Sequence, residues 1–147
     1  MCPLQAGCAA RRTGDPGRFP VKLAKKPRPI RTGIAFVAVD REGRVLLRSR
    51  PPKGLLGGMS EVPTSAWEVL SAARAGQVQA PLEADWQVLN SEIVHVFTHF
   101  ELRLKVHLAR VSSMPAPEAC RWVSPAGLKA EPLPVLMRKV LKAAGLL

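Results

Sequence analysis

The chain has 147 residues, 47% of them apolar, and carries 22 Lys and Arg against 11 Asp and Glu for a net charge of +11. That length supports one domain with a modest tail and a sizeable core, and no apolar run approaches the roughly eighteen residues of a membrane span. Early charges without an apolar stretch argue against a secretory signal, and three cysteines argue against a disulfide scaffold, so the expectation is a cytoplasmic protein with no membrane partner.

A charge this positive asks for an anionic partner, and nucleic acid is the usual one. The chain opens on Cys2-Pro3-Leu4-Gln5-Ala6-Gly7-Cys8. Iron–sulfur clusters usually need about four thiolates, so two fit either a tail with free thiols or the end of a four-cysteine site. Residues 11–31 hold eight cations, among them Lys25, Lys26 and Arg28, against the lone acid Asp15, which is +7 of the +11. Pro16, Pro20, Pro27 and Pro29 forbid a regular helix there and favour an extended strap. Such a strap is either a solvated linker or a phosphate-contacting arm, and its share of the charge favours the arm.

Globular structure is expected from Thr32. Ile34, Phe36 and Ala38 alternate, Asp40-Arg41-Glu42-Gly43 forms a turn, and residues 44–50 carry Val45-Leu46-Leu47, together a hairpin. Loop 51–59 is rich in Gly and Pro but lacks the spacing of a Walker loop. Ser60-Glu61-Val62-Pro63 reads as a short strand. A helix is expected over 66–75, with Ser65 and Glu68 as a capping box and Gly76 as its stop. Trp86 and Val88 suggest another strand.

Residues 94–108 then alternate with period two: Val94, Val96, Thr98, Phe100, Leu102, Leu104, Val106 and Leu108 on one face, predicted to be buried. A strand usually runs about five or six residues, so a break is expected at Phe97-Thr98-His99, making a hairpin tip that displays these side chains. On composition alone the favoured reading of Phe97 is a core aromatic beside two ordinary surface histidines. Cys120-Arg121-Trp122-Val123 reads as a last strand with Trp122 in the core, and 133–146 as an amphipathic helix. The sum is an α+β fold with a mixed sheet flanked by helices.

The hairpin followed by Arg48-x-Arg50-Pro51-x-x-Gly54-Leu55-x-Gly57-Gly58-Met59, a strand and a helix resembles the Nudix fold. The whole chain resembles, more narrowly, the C-terminal part of MutY-type adenine DNA glycosylases. Cys2 and Cys8 resemble the last two ligands of that family's 4Fe–4S motif, residues 11–31 its interdomain connector, and Phe97-Thr98-His99 its Phe-Ser-His loop with Thr for Ser. The resemblance divides the chain into 1–31, the end of the cluster motif plus a basic linker, and 32–147, a Nudix-like domain that recognises 8-oxoguanine opposite adenine. It implies base excision repair on duplex DNA and a nucleoid-associated protein. Phe97 would stack at a base step, Thr98 would hydrogen-bond the lesion, and His99 would contact phosphate or buttress the loop. Arg50, Lys53, Gly57 and Gly58, with Lys25, Lys26 and Arg28, are the other implied DNA contacts.

The family's catalytic acids belong to an N-terminal helical domain, so this chain is expected to be a C-terminal fragment without catalytic residues. That missing domain is an implied partner, and the cluster is implied for the full-length parent only. The alternative is a divergent Nudix pyrophosphohydrolase. Magnesium chemistry there needs Gly-x5-Glu-x7-Arg-Glu-x-x-Glu-Glu, but from Gly58 those positions fall on Thr64, Ala72, Ala73, Gly76 and Gln77. Only an unusual set such as Glu61, Glu68 and Asp85 would remain.

Overall fold

The computed structural model describes residues 2–18, 23–69 and 79–147. A short helix, α1 (Ala9–Arg12), and a 3-10 turn at Pro16–Arg18 occupy the start of the segment expected to be extended, and residues 23–29 reach the sheet without helix or strand. The sheet follows as β1 (Ile30–Val39), β2 (Val45–Ser49), β3 (Ser60–Glu61), β4 (Glu68–Val69), β5 (Gln87–Val96), β6 (Glu101–Arg110) and β7 (Cys120–Val123). Two helices close the chain, α2 (Pro125–Leu128) and α3 (Val135–Ala143). Among the described residues no helix is long and apolar enough to cross a membrane.

The expected α+β mixed sheet is present, in the order β3-β2-β1-β6-β5, with β4 pairing β1 and β7 pairing β2. Its spine is the parallel pair β1–β6, in register from Ile30↔Glu101 to Val39↔Arg110. One face packs Ala35, Val37, Val39, Leu102, Leu104 and Val106 with Leu136, Met137, Val140 and Leu141 of α3. The opposite face buries Phe36, whose ring meets Trp86 edge-on at 5.1 Å and His107 at 5.6 Å. The β1–β2 hairpin turns as expected. The Asp40 carboxylate accepts from the backbone N–H of Glu42 and Arg44 and from the Arg44 guanidinium, standing in for a turn's own hydrogen bonds.

Three expectations need correction. The helix expected over 66–75 does not begin: residues 63–69 run antiparallel along the free edge of β1 instead. Phe36 N–H donates to Pro63 O, Ser65 N–H donates to Ile34 O, and Thr32 and Arg31 pair with Glu68 and Val69. The hydroxyl of Ser65, the supposed cap, accepts from Ile34 N–H at 2.9 Å. β1 pairs β2 only near Val39↔Val45, which leaves edge groups to satisfy, and this outweighs a local capping signal. Residues 70–75 and Gly76 lie outside the described residues.

The predicted apolar face also holds only in part. Leu102, Leu104 and Val106 are buried, but Val94 and Val96 are 42% and 51% exposed, and Ile93 takes the core position. Cross-strand partners share a face, and His95 pairs with Leu102 as Ile93 pairs with Leu104. Buried positions are therefore odd in β5 and even in β6. Trp122, expected in the core, is only half buried and donates its indole N–H to Met114 O at 2.8 Å.

Candidate nucleic-acid interface

Strands β5 and β6 meet in the turn 97–100, closed by Phe97 N–H donating to Phe100 O at 2.8 Å. The expected break therefore lies at Phe97-Thr98-His99. Thr98 and His99 are exposed, whereas Phe97 is half buried. Its ring lies 4.8 Å from Phe100, stacks on Trp67 at 6.0 Å and meets His95 edge-on at 4.7 Å. Of the two readings of Phe97, the packed aromatic describes its contacts, and the turn displays Thr98 and His99.

Trp67 supports this arrangement from a distance of thirty residues in sequence. It lies across β1 at Gly33, where an added Cβ would come within 3.0 Å of the indole. A larger residue there would press on the Trp67, Leu104 and Ser65 side chains, which would have to give by a few tenths of an ångström. The Arg50 guanidinium lies over the Trp67 ring, 4.8 Å from its centroid, and Arg31 sits 4.5 Å above Phe100. Neither Trp67 nor Arg31 stands out in the sequence as belonging to this site; no local pattern connects either residue to the turn.

The strap joins the turn directly. Glu101 N–H donates to Pro29 O at 3.0 Å, and the Arg28 Nε–H donates to Thr98 O at 3.3 Å. Because β1 runs parallel to β6 from Ile30↔Glu101, the residues before Ile30 leave the sheet at the end where the turn sits. Lys25, Lys26 and Arg28 are exposed there. His95, beneath the turn, is held below its ordinary pKa by burial and, secondarily, by the charge of Lys139. Lys139 itself donates from Nζ to Val94 O at 3.1 Å.

Loop 51–59 is built around Arg50. Its Nε–H donates to Leu55 O, its backbone N–H donates to Met59 O, and its guanidinium pairs with Glu61. Gly57 is fixed by space, since a Cβ would fall 2.5 Å from Pro52 O. Gly58, at φ +72°, and Lys53 are exposed. Of the implied DNA contacts, Arg28 meets Thr98 at the turn, which also displays His99 and has Phe97 packed beneath it, while Lys25 and Lys26 are exposed in the segment that leads to Arg28. Arg50 reaches the turn only through Trp67, and its polar groups are engaged within the fold.

The acids of the hydrolase alternative do not form a site. Glu61 is 2% exposed and bound by Arg48 and Arg50, Glu68 lies on β4, and Asp85 is exposed. Among the described residues no three His, Cys, Asp or Glu gather where they could hold a metal ion. Cys2 and Cys8 line a depression of about 350 Å³ with Gln5, Arg11 and Gly14. Two thiolates fall short of the roughly four that an iron–sulfur cluster takes, so these residues do not by themselves fit that group.

Residues 34–143 match the model of the NUDIX domain. The adenine DNA glycosylase of Homo sapiens is 30% identical over 139 residues, covering 84% of this chain and 25% of its own length. The Mus musculus enzyme is 30% identical over 121 residues, covering 72% of this chain and 23% of its own. The chain thus spans about a quarter of the length of these relatives. Among solved structures, the C-terminal domain of mouse MUTYH, in complex with human PCNA, superposes with a TM-score of 0.63 at 22% identity, covering 78% of this chain and 87% of that one. The MutT protein of Methanosarcina mazei Go1 gives 0.61 at 13%, over 80% and 94%. At these identities the structural likeness is one of fold. The chain belongs to the NUDIX domain family, and over most of its length it is related to adenine DNA glycosylases.

Proposed function

We propose that this chain reads 8-oxoguanine opposite adenine in duplex DNA, as the C-terminal part of an adenine DNA glycosylase in base excision repair. The observation that carries the reading is the meeting of the basic strap with the exposed turn, through Arg28 on Thr98 O and Pro29 O on Glu101 N–H. A cationic arm that ends on a two-residue polar tip puts phosphate neutralisation beside base readout, the two contact types that protein–DNA recognition divides between.

In this reading Lys25 and Lys26 take phosphates and release counterions, which gives affinity without sequence. The Thr98 hydroxyl, able to donate and accept, meets the lesion edge. His99 serves the adjacent backbone. Phe97 holds the turn from below through Trp67 and Phe100. Adenine excision is the work of a separate catalytic domain with which this chain acts.

The test is a fluorescence titration of duplexes carrying 8-oxoguanine:adenine or guanine:adenine, on this chain and on the chain joined to an adenine glycosylase catalytic domain. Tighter binding of the lesion duplex is expected in both. Equal affinity for the two duplexes in the joined protein overturns the reading.

A further inference from the structure

A second set of exposed cations lies on helix α3, which is bonded to the strand that leads into the turn. Helix α3 buries Leu136, Met137, Val140 and Leu141 and turns Arg138, Lys139 and Lys142 to solvent. It contains no acid, so no i,i+4 pair neutralises these charges. The ion pairs of the described residues draw on Arg44, Arg48, Arg50, Arg103 and Arg121, none of them on this helix.

The helix is also tied to the hairpin that carries the turn. Lys139 Nζ donates to Val94 O on β5, four residues before Thr98, and its charge is felt by His95, whose ring touches Phe97. In the sheet order, β5 and β1 lie on opposite sides of β6. Arg28 and Pro29 thus meet the hairpin beside β1, whereas Lys139 of α3 bonds it on β5. At roughly 3.3 Å per residue, Val94 lies about 13 Å back from the tip, well within the width of a duplex.

We infer that the exposed face of α3 is a second DNA-backbone contact, in which Lys139 and Lys142 take phosphates while the strap takes others. This inference rests on the DNA reading proposed above. The occupant is a phosphodiester backbone because the exposed side of the helix offers Arg138, Lys139 and Lys142 with no acid on the helix, and its one well-exposed apolar side chain, Val135, stands at the helix's first residue. Two arms would fix the height and tilt of the turn over the duplex, which a single extended strap cannot do.

The experiment measures duplex affinity against salt for the full chain, its Lys139→Gln/Lys142→Gln variant and its Lys142→Gln variant. Arg41→Gln serves as the control, because Arg41 is exposed in the β1–β2 turn at the end of β1 remote from the strap. Removing one phosphate-binding cation should flatten the log–log salt slope by about 0.9. The double variant is expected to show a slope shallower by about 1.8 and roughly tenfold or more weaker affinity at 0.1 M salt, equally for lesion and undamaged duplexes. Lys142 makes no hydrogen bond to β5, so the single variant reads phosphate binding without disturbing the Lys139–Val94 bond. A steep wild-type slope that is unaltered in both variants overturns the role of α3 alone. A wild-type chain without salt-dependent duplex binding overturns the DNA reading, and this inference with it.

Discussion

Two groups of cations in this molecule behave in opposite ways. At the β2–β3 edge, Arg48 and Arg50 converge on the buried carboxylate of Glu61, and Arg121 bonds Glu131, Ser49 and Ser60. Lys25, Lys26 and Arg28 before β1 and Lys139 and Lys142 on α3 are exposed and enter no ion pair among the described residues. The first group is engaged in holding loop and sheet together, while the second carries no counter-charge among the described residues. Counting cations would have merged the two; their partners separate them.

The largest expected effect comes from breaking the paired group. Glu61→Ala leaves two guanidinium groups without their buried counter-charge and should cost about 3–5 kcal/mol in denaturant unfolding. Loop 51–59 should loosen with it, because Arg50 also holds Leu55 O. Replacing Lys25 and Lys26 by Gln should leave unfolding unchanged within about 0.5 kcal/mol. It should weaken both duplexes alike, with the salt slope flatter by about 1.8. Thr98→Ala should act on neither stability nor slope. If the Thr98 hydroxyl meets the lesion as proposed, the change removes one hydrogen bond of about 1 kcal/mol, and so should reduce lesion preference about fivefold in paired titrations. Equal weakening on both duplexes would make the turn a structural element only.

The smallest effect concerns His95. Burial, aided by Lys139, keeps its pKa below the ordinary value, so the folded chain favours the neutral ring. As pH falls below about 6.5, the unfolded chain takes up this proton first. The contribution to stability is therefore present above that pH and fades as pH drops toward the folded pKa. Lys139→Gln should raise the His95 pKa toward its ordinary value in an NMR titration and shrink the fall in Tm between about pH 7.5 and 5.5.

The hairpins, the amphipathic α3 and the break at Phe97-Thr98-His99 are legible in the sequence because each rests on a short-range pattern. Asp40 and Gly43 announce the first turn, and the spacing of Leu136, Val140 and Leu141 announces the helix. The rest depends on contacts between distant residues. Nothing near Ser65 reveals that β1 has an edge to fill, so a local capping signal masks a pairing that only the assembled sheet creates. Likewise the link from Arg28 to Thr98 spans seventy residues and follows from β1 lying parallel to β6. The strap's charge is visible in the sequence, but its destination is not.

The inverted parity of β5 and β6 limits how the turn can change. Ile93 and His95 share a face with Leu104 and Leu102 only while four residues separate Val96 from Glu101. Inserting or deleting one residue would send Ile93 to solvent and bring Val94 inward, exchanging every side chain of β5 between core and surface. The tip can therefore be retuned by swapping side chains, such as a hydroxyl for another hydroxyl, but its length is locked by the core beneath it.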